Sequence, residues 1–131
     1  VKQIIFGLND KNLDYVLSYQ SKVGPLKWIG PSTEDTIIKY SKLKKGLIIV
    51  PIAFVSEHSE TLVELDIEYK KLAEKNGCNF YERVPALGTD KIFIKGLTEL
   101  VLKSSEKDGF TSSIMCPNKF VKCPCLGVNV N

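Results

Sequence analysis

The chain has 131 residues, of which 44% are hydrophobic and 25% are charged, and its net charge is +3. These values fit one ordinary soluble domain and exclude a disordered or fibrous chain, and no apolar run approaches the roughly 18 residues that a membrane span needs. Arg83 is the only arginine, which argues against nucleic-acid binding because arginine forks recognise phosphate and guanine. The sequence starts at Val1 without a methionine. Its first residues look like the continuation of a structural element that begins upstream, so we expect a fragment.

Three segments have the composition of β-strands. They are Leu13 to Gln20, Leu47 to Phe54 and, less clearly, Asn79 to Val84. The second reads LIIVPIAF and is apolar throughout, as expected of a strand that is covered on both faces.

Helical patterns separate these strands. Ser32 is a candidate cap, with Asp35 three residues later, for a helix that ends near Gly46. A longer helix is predicted from about residue 56 to 76, with Leu62, Leu65, Ile67 and Leu72 as apolar positions and Gly77 as its left-handed cap.

A final helix is predicted from about Asp90 to Ser104, with a buried stripe formed by Ile92, Phe93, Leu97, Leu100 and Val101. Strands that alternate with helices of this length predict a parallel sheet with flanking helices, which is the α/β class. We therefore expect an α/β domain over residues 1–105 and an irregular cysteine-containing tail over 106–131.

Ligands of open parallel sheets bind beyond the carboxyl ends of the strands. The loop after the first predicted strand, SKVGPLKWIGP, holds two Gly-Pro pairs and the only tryptophan, Trp28. This loop suits a pocket lining, although Trp28 could equally close the end of the core.

The segment after the second strand contains the only histidine, His58, and a row of acids. On a helix, Glu60, Glu64 and Glu68 lie on one side, with Glu57 close to the start of the row. Like charges at this spacing cost about 0.2–0.5 kcal/mol per pair, so something should compensate. Solvent and nearby lysines are one explanation. The other is that the row faces a cleft and handles cations or protons, with some carboxyl pKa values raised by crowding.

Two stretches closely resemble the carboxyl-terminal half of the ferrochelatases. They are QSKVGPLKWIGPSTEDTI, from Gln20 to Ile37, and VPIAFVSEHSETLVELDIEY, from Val50 to Tyr69. The resemblance implies a lyase of haem biosynthesis that inserts ferrous iron into protoporphyrin IX and releases two protons. It also implies two similar α/β domains with a porphyrin cleft between them, of which this chain is most of the second.

The resemblance assigns roles to the residues of the second motif. Glu60 resembles the family's catalytic carboxylate, and His58 and Glu57 resemble its hydrogen-bonded neighbours, although the family normally has aspartate in place of Glu57. Glu64 and Glu68 resemble the outward continuation of an acidic metal and proton path, on a helix that is locally widened in the family.

The first motif supplies the porphyrin pocket. Trp28 and Ser21 resemble pocket-lining residues, and Tyr19 stands where many members have tryptophan. The family's other histidine, in an earlier SxHxxP-like motif, has no counterpart here. We therefore expect this chain to be inactive without the amino-terminal half of the protein.

Three cysteines of the tail, Cys116, Cys123 and Cys125, resemble the ligands of the [2Fe-2S] cluster that some members carry. Their spacing differs from the compact animal pattern, and free thiols or zinc binding are the alternatives. Cys78 is expected to be an ordinary packing residue.

The resemblance also implies a location and partners. Eukaryotic members associate peripherally with the matrix side of the mitochondrial inner membrane, which is the location expected here, with plastid or cytoplasm as alternatives, and a homodimer is compatible with the tail. Two other functions remain open, namely a non-enzymatic carrier of metal or haem and a chelatase for another divalent metal.

Overall fold

A computed structural model describes residues 1–22 and 24–106 of the chain. The chain divides into two units, residues 1–88 and 89–131. The first contains α1 (Lys2–Leu8), α2 (Thr33–Lys42), β1 (Leu47–Ile49), a π-helix (Glu60–Tyr69), α3 (Lys70–Lys75) and β2 (Tyr81–Arg83), and the second contains α4 (Lys91–Glu106). Within the described residues, no helix combines the length and the apolar character that crossing a membrane requires.

The sheet of the first unit is parallel, as the α/β prediction requires. β1 and β2 pair with Leu47 opposite Tyr81 and Ile49 opposite Arg83. The π-helix and α3 connect the two strands. This strand–helix–strand unit confirms the predicted fold class.

The predicted strand from Leu13 to Gln20 is wrong. Its residues form no strand, and only Tyr19 makes an isolated parallel bridge, to Ser32. A strand needs a neighbour that satisfies its backbone donors and acceptors, and among the described residues only Tyr19 finds one, with its N–H donating to Pro31 and its carbonyl accepting from Thr33.

The strand predicted from Leu47 to Phe54 is shorter than expected and ends at Ile49. Pro51 has no N–H to donate to a sheet, and the backbone turns there, with the Phe54 N–H donating to the Pro51 carbonyl. Ile48 is 64% exposed, so the expectation that both faces are covered is also wrong for the described part of the chain.

Helix α2 begins where the sequence predicts. Ser32 has extended backbone angles, and its Oγ accepts a hydrogen bond from the Asp35 N–H at 3.0 Å, which confirms the predicted cap. The helix ends at Lys42 and not near Gly46, because Lys44 adopts a left-handed conformation with φ of 58° that closes the last turn.

The helix predicted over residues 56–76 begins only at Glu60 and consists of the π-helix followed by α3. Gly77 has a φ of 92°. Its N–H donates to Glu74 O, and the Cys78 N–H donates to Ala73 O, which is the hydrogen-bond pattern of a Schellman cap. The prediction for Gly77 is therefore confirmed.

The core of the first unit lies among α2, the π-helix, α3 and the two strands. Leu65 is completely buried, whereas Leu62 and Ile67 on the same helix are about half exposed. Cys78 is buried, as predicted, and its Sγ donates to the carbonyls of Lys45 and Phe80. The buried cluster consists of Ile37, Ala73, Cys78 and Tyr81, with Leu47, Ile49, Tyr69 and Leu72 packed against it.

In the second unit, α4 begins at Lys91 after Asp90, whose Oδ1 accepts from two N–H groups of the first turn. The predicted buried stripe is wrong in the described structure: Ile92, Leu97, Leu100 and Val101 are exposed and Phe93 is partly exposed. The reason is that α4 is the only described element of its unit, so no other described element of that unit covers its apolar side.

Candidate functional site

The acidic segment after β1 folds into a π-helix, so the local widening that the resemblance implied is confirmed. Two side chains from other parts of the fold donate hydrogen bonds to its carbonyl groups. Tyr81 Oη donates to Leu65 O at 2.8 Å, and Gln20 Nε2 donates to Glu60 O at 3.1 Å. π-helical turns are rare and occur frequently at functional sites, and here both outside donors help to hold the widened backbone.

One side of the π-helix carries the predicted row of acids. Glu60, Glu64 and Glu68 line a groove of about 250 Å³, together with Ser59 and Val63. Glu60 and Glu64 are partly buried, and Glu68 is exposed. The three carboxylates therefore extend along one groove from a partly covered end to an open end.

Lysines do not compensate this row in the described part of the chain. The ion pairs found there join Lys45 to Asp14 and Arg83 to Glu57 and Asp66. None of them includes a carboxylate of the groove. The explanation that nearby lysines neutralise the row is therefore not supported by the geometry.

Glu64 is fixed by hydrogen bonds to both carboxylate oxygens. Gln20 Nε2 donates to Oε2 at 2.7 Å, and Tyr69 Oη donates to Oε1 at 2.7 Å. Burial, and then the hydrogen bond to Glu64, raise the pKa of Tyr69, so the phenol keeps its proton and remains a donor. Because an ionised carboxylate has about four acceptor positions, Glu64 can still accept from a ligand in the groove.

Glu60 and His58 are connected through the backbone. The Glu60 N–H donates to His58 Nδ1 at 3.2 Å. This bond makes Nδ1 an acceptor and assigns the proton of the neutral ring to Nε2. The His58 ring also packs edge-on against Phe54, with 4.4 Å between ring centroids. The Glu60 carboxylate has no hydrogen-bond or ion-pair partner among the described residues and is available to a ligand.

Glu57 differs from the other acids of this segment. Its Oε1 accepts from Arg83 Nη1 at 2.9 Å and from the Ala86 N–H at 2.8 Å. The nearby Thr61 hydroxyl and the hydrogen bonds from the Ala86 N–H and Arg83 lower the pKa of Glu57 to about 2. The expectation that crowding raises carboxyl pKa values is therefore wrong for Glu57, which stays ionised at neutral pH.

The three candidate pocket residues lie near one another in sequence but have different environments. Trp28 is 41% exposed, so it does not close the core, and its Nε1 donates to Gln20 O at 3.2 Å. Ser21 is partly exposed and has a left-handed φ of 62°. Tyr19 is partly exposed and bridges to Ser32.

Gln20 and Arg83 are the site residues that sequence reasoning missed. Gln20 connects the Trp28 loop to Glu64 through its backbone carbonyl and its side-chain amide. Its place at the start of the QSKVGP motif was the available signal. For Arg83, the signal was its status as the only arginine of the chain.

The metal-binding predictions divide between two parts of the chain. Cys116, Cys123 and Cys125 lie outside the described residues. Within the part that the structure describes, no group of three or more His, Cys, Asp and Glu side chains is arranged to hold a metal ion. The acids of the groove are therefore separate carboxylates and not a closed metal site.

Comparison with known proteins gives the family. A family model described as ferrochelatase matches residues 1–105. The chain is 62% identical over 130 residues to a ferrochelatase of Pelagibacter ubique, and 53% identical over 135 and 131 residues to ferrochelatases of Rickettsia felis and Rickettsia canadensis. The chain belongs to the ferrochelatase family.

These alignments cover 96%, 98% and 95% of this chain but only 38%, 39% and 38% of the three relatives. The chain thus spans less than half the length of the curated relatives it matches. The expected mitochondrial location is wrong, because these relatives come from Pelagibacter and Rickettsia, which are α-proteobacteria and have no mitochondria. A bacterial origin is indicated.

Proposed function

We propose that the intact protein containing this chain is a ferrochelatase that inserts ferrous iron into protoporphyrin IX. The reaction gives protohaem and two protons, so one divalent cation must enter and two protons must leave a largely apolar site. The observation that carries the proposal is the groove of Glu60, Glu64 and Glu68, which no lysine of the described residues neutralises. The family membership supports it.

In this proposal the three glutamates have different tasks. Glu60 has a carboxylate without a partner in the described part of the chain, so it can accept a pyrrole proton or guide the metal. Glu64 has an orientation that Gln20 and Tyr69 fix, so it provides a second carboxylate position. Glu68 is exposed and exchanges protons and cations with solvent.

His58 orients the start of this path. Its Nδ1 accepts from the Glu60 N–H, so the ring fixes the backbone that carries the catalytic carboxylate. Its Nε2–H is left as a donor. In this state His58 assists by hydrogen bonding, and the proton acceptor next to the porphyrin is Glu60.

An anaerobic insertion assay tests the proposal. The intact protein, mixed with ferrous iron and protoporphyrin IX, should give protohaem, followed by its absorbance and by the loss of porphyrin fluorescence. The 131-residue chain alone should show no turnover, because the resemblance assigns another histidine to the amino-terminal half of the protein. An intact protein without iron insertion contradicts the proposed function, and haem formation by the chain alone contradicts the dependence on that half.

We propose a [2Fe-2S] cluster at Cys116, Cys123 and Cys125 as a separate feature of the tail. Cys78 does not suit the fourth position, because its thiol is buried and donates to two backbone carbonyls. Iron and acid-labile sulfide in the purified intact protein test the cluster, and a protein without labile sulfide contradicts it.

A further inference from the structure

Arg83 is the most extensively paired charged residue of the described structure. It lies at the end of β2, and its side chain is only 8% exposed. Nε and Nη2 donate to the two oxygens of Asp66 at 2.6 and 2.7 Å, and Nη1 donates to Glu57 at 2.9 Å. A planar guanidinium can make this two-oxygen contact and a further contact at the same time.

The two acids that Arg83 holds lie on either side of the candidate catalytic residues in sequence. Glu57 directly precedes His58, and Asp66 follows Glu64 on the π-helix. The segment that carries His58, Glu60 and Glu64 is therefore attached to β2 at two points by one side chain. Glu57 is held additionally by the Ala86 N–H.

Only some of the acids of this segment are paired with Arg83. It pairs with Glu57 and Asp66, whereas the three acids that line the groove have no cationic partner among the described residues. Both partners raise the pKa of Arg83, with Asp66 first, so the guanidinium stays charged.

We propose that Arg83 is a positioning residue for metal insertion, which holds the groove-facing carboxylates in place through its contacts to Asp66 and Glu57. The inference rests on the proposed function. Arg83 acts through these two acids, and its contribution is to the geometry that the incoming metal meets. Misplacing a reacting group by about 1 Å can cost about 100-fold in rate.

Arg83→Lys in the intact protein tests this. Lysine keeps the positive charge, but it lacks the planar fork with which Arg83 donates to both oxygens of Asp66 and to Glu57. The expected result is a ten- to hundredfold lower kcat/KM for ferrous iron, as in comparable misplacements, with the KM for protoporphyrin within about twofold of wild type. Lys45→Met is the matched control, because it removes the exposed pair with Asp14, and it should behave as wild type.

Comparing the kcat/KM for iron with the KM for protoporphyrin distinguishes a positioning role from a general loss of structure. A KM for protoporphyrin that changes as much as the kcat/KM for iron, or an unchanged kcat/KM for iron while the wild-type protein is active, overturns the inference and leaves the proposed function standing. An inactive wild-type protein overturns both. If Arg83→Lys does not fold, Asp66→Asn serves instead, since it removes the charge and replaces one accepting oxygen with an amide NH2 that cannot accept from Arg83. It should again lower kcat/KM for iron while the KM for protoporphyrin stays within about twofold of wild type.

Discussion

Replacement of Glu60 by glutamine in the intact protein is expected to lower the rate of iron insertion by about 10²–10⁴-fold, the range for loss of a group that transfers protons. Glutamine has the size of glutamate but carries no charge and does not accept a proton at neutral pH. The Glu60 backbone contacts to His58 and Gln20 would remain, so the π-helix should persist. Steady-state insertion kinetics measure the effect.

Glu74→Gln is the control for this substitution. Glu74 is exposed on α3, directly after the π-helix, and lies outside the groove. The control should keep the wild-type rate. A Glu60→Gln protein with more than about one third of the wild-type rate, far above the range expected for such a group, contradicts the role given to Glu60.

Leu65→Ala should produce the largest loss of stability, about 2–5 kcal/mol in the free energy of unfolding. Leu65 is fully buried on the π-helix, and its carbonyl accepts from Tyr81 Oη. Removing its side chain leaves a cavity in the interior of the first unit. Urea unfolding of the intact protein measures the loss.

Leu62→Ala makes the same chemical change on the same helix at a site that is 48% exposed. Because only about half of this side chain leaves water on folding, the expected loss is about 1 kcal/mol. Equal losses at Leu62 and Leu65 contradict the core described here.

The features predicted correctly from sequence are mostly local ones. Ser32 and Gly77 were predicted as helix caps because a cap depends on one side chain or one backbone angle and a few neighbouring N–H groups. The acid row followed from spacing alone, and the groove contains all three of its members.

The features that sequence reasoning missed depend on contacts between distant segments. The strand predicted from Leu13 to Gln20 has a suitable composition, but among the described residues only its Tyr19 pairs with another segment, at Ser32. Gln20 contacts Glu64, which lies 44 residues away, and Arg83 contacts Glu57, which lies 26 residues away. No periodicity encodes such pairs.

The role of the acidic groove can be tested most directly by locating a divalent cation in crystals of the intact protein soaked with cobalt(II), using the change in anomalous scattering across the cobalt absorption edge, which excludes bound iron. The account predicts the strongest peak within the groove of Glu60, Glu64 and Glu68, at coordination distance from at least one of these carboxylates. A groove without cobalt, with the strongest peak elsewhere on the protein, would contradict it.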